Sequence, residues 1–152
     1  MRNIFRKIVG SVILSRDGKV LLLKGNPANM GAYEGYWVIP GGGIEEGEIA
    51  LQAVIRETLE ETGIDLSGYQ IDLVSDTRKG ESEKTLKDTG ERVLVKMDFS
   101  EYKTVITDKV AEEIKITLSH EHSEYSWVKI EELKDVKLSP PSFGLFKLLG
   151  YI

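Results

Sequence analysis

Apolar and polar positions fall into a series of short blocks along this 152-residue chain. Ile4 to Leu14 is apolar and β-branched and stops at Arg16-Asp17-Gly18-Lys19. Asp-Gly favours a tight turn, so Val20 to Leu23 returns as a second strand. Gly25 to Gly35 is rich in Gly, Asn, Ala and Pro and reads as a loop. Tyr36 to Ile39 is a short strand that Pro40 ends, fixing the entry of the chain into Gly41-Gly42-Gly43. Beyond those glycines the period changes from two to 3.6. Leu51, Val54, Ile55, Thr58 and Thr62 line up as the buried stripe of a helix. Glu57, Glu60 and Glu61 share another face, at i, i+3 and i+4, with the small Ala50 and Ala53 on the same side. Gly63 suits the left-handed position that closes a helix.

After the helix, Tyr69 to Ser75 alternates and reads as a strand. Asp76 to Gly90 is strongly charged without an apolar pattern, as in an exposed hairpin or loop, and Glu91 to Phe99 is the return strand. Glu101 to Glu113 is poorly patterned. Ile114 to Leu118 and Glu124 to Ile130 are the remaining strand candidates, and Ile130 to Leu133 starts a short helix. Ser139-Pro140-Pro141-Ser142 opens a final helix, Phe143 to Leu149, with Gly150 after it. Strands that flank one central helix, with a second helix at the end, predict a mixed sheet between helices in an α/β fold. There is no repeat, low-complexity segment or linker, so residues 1–152 are expected to form a single domain.

Composition narrows the chemistry. The formal net charge of −5 disfavours nonspecific binding to nucleic acid polymers or anionic membranes. No run of eighteen apolar residues exists, and Met1 to Gly10 lacks the apolar core of a signal peptide. The chain has no Cys, which excludes disulfides, thiol catalysis and Cys-ligated zinc. A cytoplasmic location is the expectation that follows.

Three like charges on one helix face oppose helix formation by some tenths of a kcal/mol per pair, approximately. A divalent cation gives that repulsion a reason, and clustered carboxylates select a hard ion, Mg²⁺ or Mn²⁺. Glu48 and Arg56 are placed to hold loop and helix together, and Arg56 pairs with Glu60 at i,i+4. The triple glycine allows close backbone approach to a phosphate or metal ahead of a helix N-terminus.

The spacing of Gly42, Glu48, Arg56, Glu57, Glu60, Glu61, Gly63 and Ile64 fits G-x5-E-x7-R-E-U-x-E-E-x-G-U, with U a bulky apolar residue. Its fixed polar and glycine positions match by chance at ~10⁻⁸ per start. This resembles the Nudix box, the signature of the Nudix hydrolases. One position departs, with Thr58 where the family usually has an aliphatic residue. Leu21 to Lys24, Trp37 to Pro40 and Glu121 to Trp127 are similar to the family's usual flanks.

The resemblance implies an α/β/α sandwich with a curved mixed β-sheet. It implies metal ligation by Glu57 and Glu61, with Glu60 as a further ligand or the holder of a metal-bound water. A backbone carbonyl near Gly41 or Gly42 completes the shell, and Glu121 adds a fourth acid, with Glu112, Glu113 and Glu124 as rivals. The implied reaction is hydrolysis of a nucleoside diphosphate linked to another moiety. Glu60, Glu61 and Glu121 all stay open as the base, with Arg56 in the catalytic set. Substrate contact is assigned to Lys24, Tyr33, Gly41, Gly43 and Arg78. Lys79, Lys84 and Lys87 share the charged segment with Arg78 and either reach a phosphate or stay solvated. His120 and His122 read as exposed loop histidines rather than as a base or metal contact.

Downstream markers of the ADP-ribose and dinucleoside polyphosphate groups are not met, which leaves a nucleoside or deoxynucleoside triphosphate pyrophosphohydrolase as the expected activity. An ADP-ribose or nucleotide-sugar hydrolase is the alternative. A non-catalytic nucleotide-binding regulator is the alternative of another class. Homodimerisation stays open.

Overall fold

The computed structural model describes residues 1–26 and 33–152. Its centre is a pair of long strands, β1 (Arg2–Leu14) and β7 (Arg92–Val105), which run parallel and in unbroken register from Arg2↔Val93 to Leu14↔Val105. On the far side of β1 lie β2 (Lys19–Gly25) and β3 (Trp37–Val38), both antiparallel to their neighbours. On the far side of β7 lie β5 (Asp72–Ser75) and β6 (Lys79–Thr85). β8 (His122–Lys129) pairs with β2. The sheet is therefore mixed.

The two helices cover opposite faces because β1 is apolar on both. Val9 packs against Ala53 and Val54 of α1 (Ala50–Thr62). Val12 and Leu14, three and five residues on and of opposite phase, pack against Leu145 and Phe146 of α2 (Pro140–Leu148). The result is the expected α/β/α sandwich. Ser139 caps α2, its hydroxyl accepting the Ser142 amide, and the two prolines occupy the first turn. Gly63 ends α1 with φ +79°, and its amide donates to the Leu59 carbonyl at 2.9 Å.

Four expectations change. The glycine triplet is a strand, β4 (Gly41–Gly43), antiparallel to Ile8–Gly10 of β1. β7 extends six residues beyond Phe99. Its apolar alternation breaks at Glu101, which is buried because Arg78 reaches it across the sheet at 2.6 Å. Ile114 to Leu118 is irregular rather than a strand, although Ile114, Ile116 and Leu118 still pack on the α1 side. The buried face of α1 is rotated. Ala53, Val54, Thr58, Glu61 and Thr62 face inward, and Leu51 is 42% exposed. Small Ala53 and the side-chain-free β4 let the helix approach β1 on that side. The loop expected over Gly25 to Gly35 lies in part outside the described residues. Among the described residues no helix is long and apolar enough to cross a membrane.

Candidate active site

The end of the loop and the start of the helix are tied by one guanidinium. Arg56 Nε and Nη2 donate to the two Glu48 oxygens at 2.7 and 2.9 Å. Nη2 also donates to the Gly43 carbonyl at 3.0 Å, and Nη1 to Glu57 Oε1 at 2.9 Å. The Glu45 amide donates to Glu48 Oε1 at 3.0 Å. Held chiefly by Arg56, the Glu48 carboxyl is pulled down to about 2. Arg56 thus fixes β4 against α1, which is the arrangement the Glu48–Arg56 spacing suggested.

That rotation of α1 splits the three carboxylates. Glu60 is 56% exposed and leans on Arg56 at 3.3 Å. Glu57 is mostly buried, and its carboxylate rests against Gly42 so closely that any Cβ at that position would strike it. Glu61 is 2% exposed, and neither of its oxygens has a hydrogen-bond partner. Burial, then the neighbouring Glu57 and Glu121, hold its carboxyl far above the usual range, at about 10. The Gly41 backbone pulls it the other way but does not compensate.

His122 is the residue that reading the sequence placed wrongly. It is not an exposed loop histidine. It opens β8 with its side chain mostly buried, and Nδ1 lies 3.6 Å from Glu61 Oε2. Burial lowers its pKa, against an opposing pull from Glu121. The cause is a register shift where β8 meets β2, Lys24 facing Glu124 but Gly25 facing His122. The skipped residue, Ser123, takes up the bulge and turns His122 inward. Only the alternation of β8 is visible in the sequence, and that pattern has no mark for a bulge.

A cleft of about 470 Å³ opens over Glu57, Gly42 and Gly43, with Glu121 and His122 at its edge. The Asn26 amide donates to the Glu121 carbonyl at 2.9 Å, which anchors that segment to β2. Tyr33 also lines the cleft. Burial raises its pKa, partly offset by the Ser82 hydroxyl. Gly41 lies in β4 and meets the site through its backbone at Glu61.

Two assigned substrate contacts are elsewhere. Lys24 stands over the Trp37 ring at 5.8 Å and 3.8 Å from Glu124. Arg78 is consumed by Glu101 and by the Pro141 carbonyl at 2.9 Å, so it braces α2 instead of facing the cleft. Lys84 and Lys87 do line the cleft, together with Arg6. Arg6 was missed, although a charge between Ile4 and Ile8 on an otherwise apolar strand phase is a visible signal.

The donor set suits a hard divalent ion. Two orphaned oxygens on a buried carboxylate, beside a second carboxylate and a third acid, need a cation to offset them. The set is not a finished cage. Among the described residues no three His, Asp or Glu side chains are gathered to hold an ion as they stand, because Arg56 draws Glu57 and Glu60 toward itself.

Comparison with known proteins agrees with this geometry. The NUDIX domain family model matches residues 4–149. The chain is 32% identical over 130 residues to the nucleoside triphosphatase NudI of Klebsiella pneumoniae, covering 84% of each chain. It is 30% identical over 143 residues to NudI of Escherichia coli K12, covering 92% of this chain and 94% of that one. The crystal structure of the MutT protein from Methanosarcina mazei superposes with a TM-score of 0.67 at 26% identity, covering 97% of this chain and 94% of that one. With a box held as described and a family match over nearly its whole length, the chain belongs to the Nudix family and is a Nudix hydrolase.

Proposed function

We propose that this chain is a metal-dependent pyrophosphohydrolase of nucleoside or deoxynucleoside triphosphates, releasing the monophosphate and pyrophosphate. The observation that carries the reading is Glu61, a buried acid whose oxygens have no hydrogen-bond partner, beside Glu57, which lines an open cleft. Two curated relatives named as nucleoside triphosphatases support the substrate class.

Glu57 and Glu61 would hold a divalent ion, Mg²⁺ or Mn²⁺, with the Gly42 backbone close to Glu57. Bound there, such an ion would supply positive charge to offset a substrate's phosphates and would lower the pKa of nearby water. Arg56 keeps Glu57 aimed at β4. Glu121, exposed at the cleft edge, takes the proton as water attacks phosphorus and the phosphoanhydride P–O bond breaks. His122, which lines the cleft 3.6 Å from Glu61, limits solvent access to it. Glu60 is set back on Arg56 and serves to balance that guanidinium. Tyr33 offers a ring to the base.

A chromatographic assay of nucleotide products with Mg²⁺, run over nucleoside triphosphates, ADP-ribose, nucleotide sugars and dinucleoside polyphosphates, tests this, with pyrophosphate as the second product expected from triphosphates alone. Turnover is expected to be highest on one or more triphosphates. A folded, Mg²⁺-binding protein that turns over none of them would overturn the hydrolytic reading. A preference for ADP-ribose or a nucleotide sugar would overturn the substrate class.

A further inference from the structure

The cleft carries both signs of charge. Glu34, Glu57 and Glu121 line it, and so do Arg6, Lys84 and Lys87. Strand register puts two of the cations on one sheet face. Arg6 is level with Met97, Ile4 with Val95 and Ile8 with Phe99. Lys84 is level with Val93. Residues in register point to the same side, so Arg6 and Lys84 share a face with the apolar row of β7. Lys87 follows two residues after the end of β6. The Arg6 guanidinium lies over Gly43, the residue next to the one that Glu57 touches.

None of the three is satisfied internally. Among the described residues the side chains of Arg6, Lys84 and Lys87 make no hydrogen bond or ion pair, while Arg2, Arg16, Arg56, Arg78 and Arg92 each pair with a carboxylate. In a chain of net charge −5, carboxylates are plentiful, yet these cations are left unpaired. An arginine fork and two lysine point charges lining one cleft are suited to the several phosphate oxygens of a polyphosphate.

We infer that Arg6, Lys84 and Lys87 form an anion subsite independent of the metal, which takes the phosphate carried beyond the cleaved linkage and so sets a preference for triphosphates over nucleotide sugars. This rests on the pyrophosphohydrolase reading for its biological use, but the subsite itself does not require turnover. Arg6 and Lys84 are specificity-determining residues here, held by β1 and by the β6–β7 hairpin.

Two measurements test it on the full-length protein. The first is calorimetric titration with inorganic tripolyphosphate in the presence of chelator. Binding by the wild type should weaken as salt rises, and Arg6→Ala or the double variant Lys84→Ala/Lys87→Ala should bind about tenfold more weakly or worse. Circular dichroism confirms that each variant is folded. The second compares kcat/KM for a nucleoside triphosphate with that for a nucleotide sugar under Mg²⁺. Arg6→Ala should lower that ratio about tenfold, mainly through KM, and Arg6→Lys should restore part of it. Equal tripolyphosphate affinity in wild type and variants, or an unchanged ratio, would overturn the subsite. Arg6-dependent tripolyphosphate binding without turnover of any nucleotide would keep the subsite and remove the hydrolase reading. Turnover of triphosphates that ignores Arg6 would do the reverse.

Discussion

At the scale of single residues, two buried side chains on α1 have unmet polar atoms, and they differ in purpose. Glu61 neighbours Glu57 and Glu121, both of which line the cleft, so its cost has a functional return. Replacing it with Gln should lower turnover about 10³-fold, since charge stabilisation by a bound ion is worth several kcal/mol. The fold should survive, because Gln keeps the shape. The metal-free proteins should also differ in pH dependence. The Glu61 pKa is raised from 4.5 to about 10 on folding. In that window the folded state holds a proton that the unfolded chain has released, so stability falls as pH rises. Denaturant melts of wild type minus Glu61→Gln should therefore show a decline with pH of up to about 1.4 kcal/mol per unit. A flat difference would mean that the carboxyl is solvated. Thr58 is the other case. Its side chain is fully buried and its hydroxyl has no partner. Val keeps its shape without the unpaired hydroxyl, so Thr58→Val should gain about 1 kcal/mol in chemical denaturation with activity retained.

At the scale of elements, the chain is held together by two arginines with separate tasks. Arg56 joins β4 to α1 and aims the catalytic face. Arg78 joins the β6–β7 hairpin to α2 through buried Glu101 and the Pro141 carbonyl. Burial lifts the Glu101 pKa, and Arg78 draws it back only in part. Removing Arg78 strands Glu101 in the interior, so Arg78→Ala should cost about 3 kcal/mol in denaturant melts. The double variant Arg78→Met/Glu101→Leu should lose much less, because it removes both charges together. If the single and double variants melt alike, the pair is not what secures α2.

Across the whole molecule, an ion that binds only the native state must raise its stability. Saturating Mg²⁺ or Mn²⁺ should lift the melting temperature of the wild type, by about 2.7 kcal/mol in free energy at a hundred times the dissociation constant. Glu61→Gln should show little of that gain. A shift of equal size in both would move the ion away from Glu61. The uneven charge of the molecule fits the same picture, acidic in sum but with unpaired cations gathered at the cleft.

Local order alone determined a good deal of this protein. Apolar runs either side of the Asp17-Gly18 turn marked β1 and β2, alternation from Tyr69 to Ser75 marked β5, and the 3.6 period with Gly63 marked α1, because those signals depend on neighbours a few residues apart. The box from Gly42 to Ile64 named the family, since its spacing is a local pattern tied to one helix and one loop. What the tertiary structure decided is which way each face turns. Ala53 against β4 rotated α1, buried Glu61 and left Glu60 outside. The bulge at Ser123 turned His122 inward, Glu101 claimed Arg78, and strand register put Arg6 and Lys84 on one sheet face. Each of those outcomes depends on contacts between segments dozens of residues apart, and local periodicity carries no information about such distances.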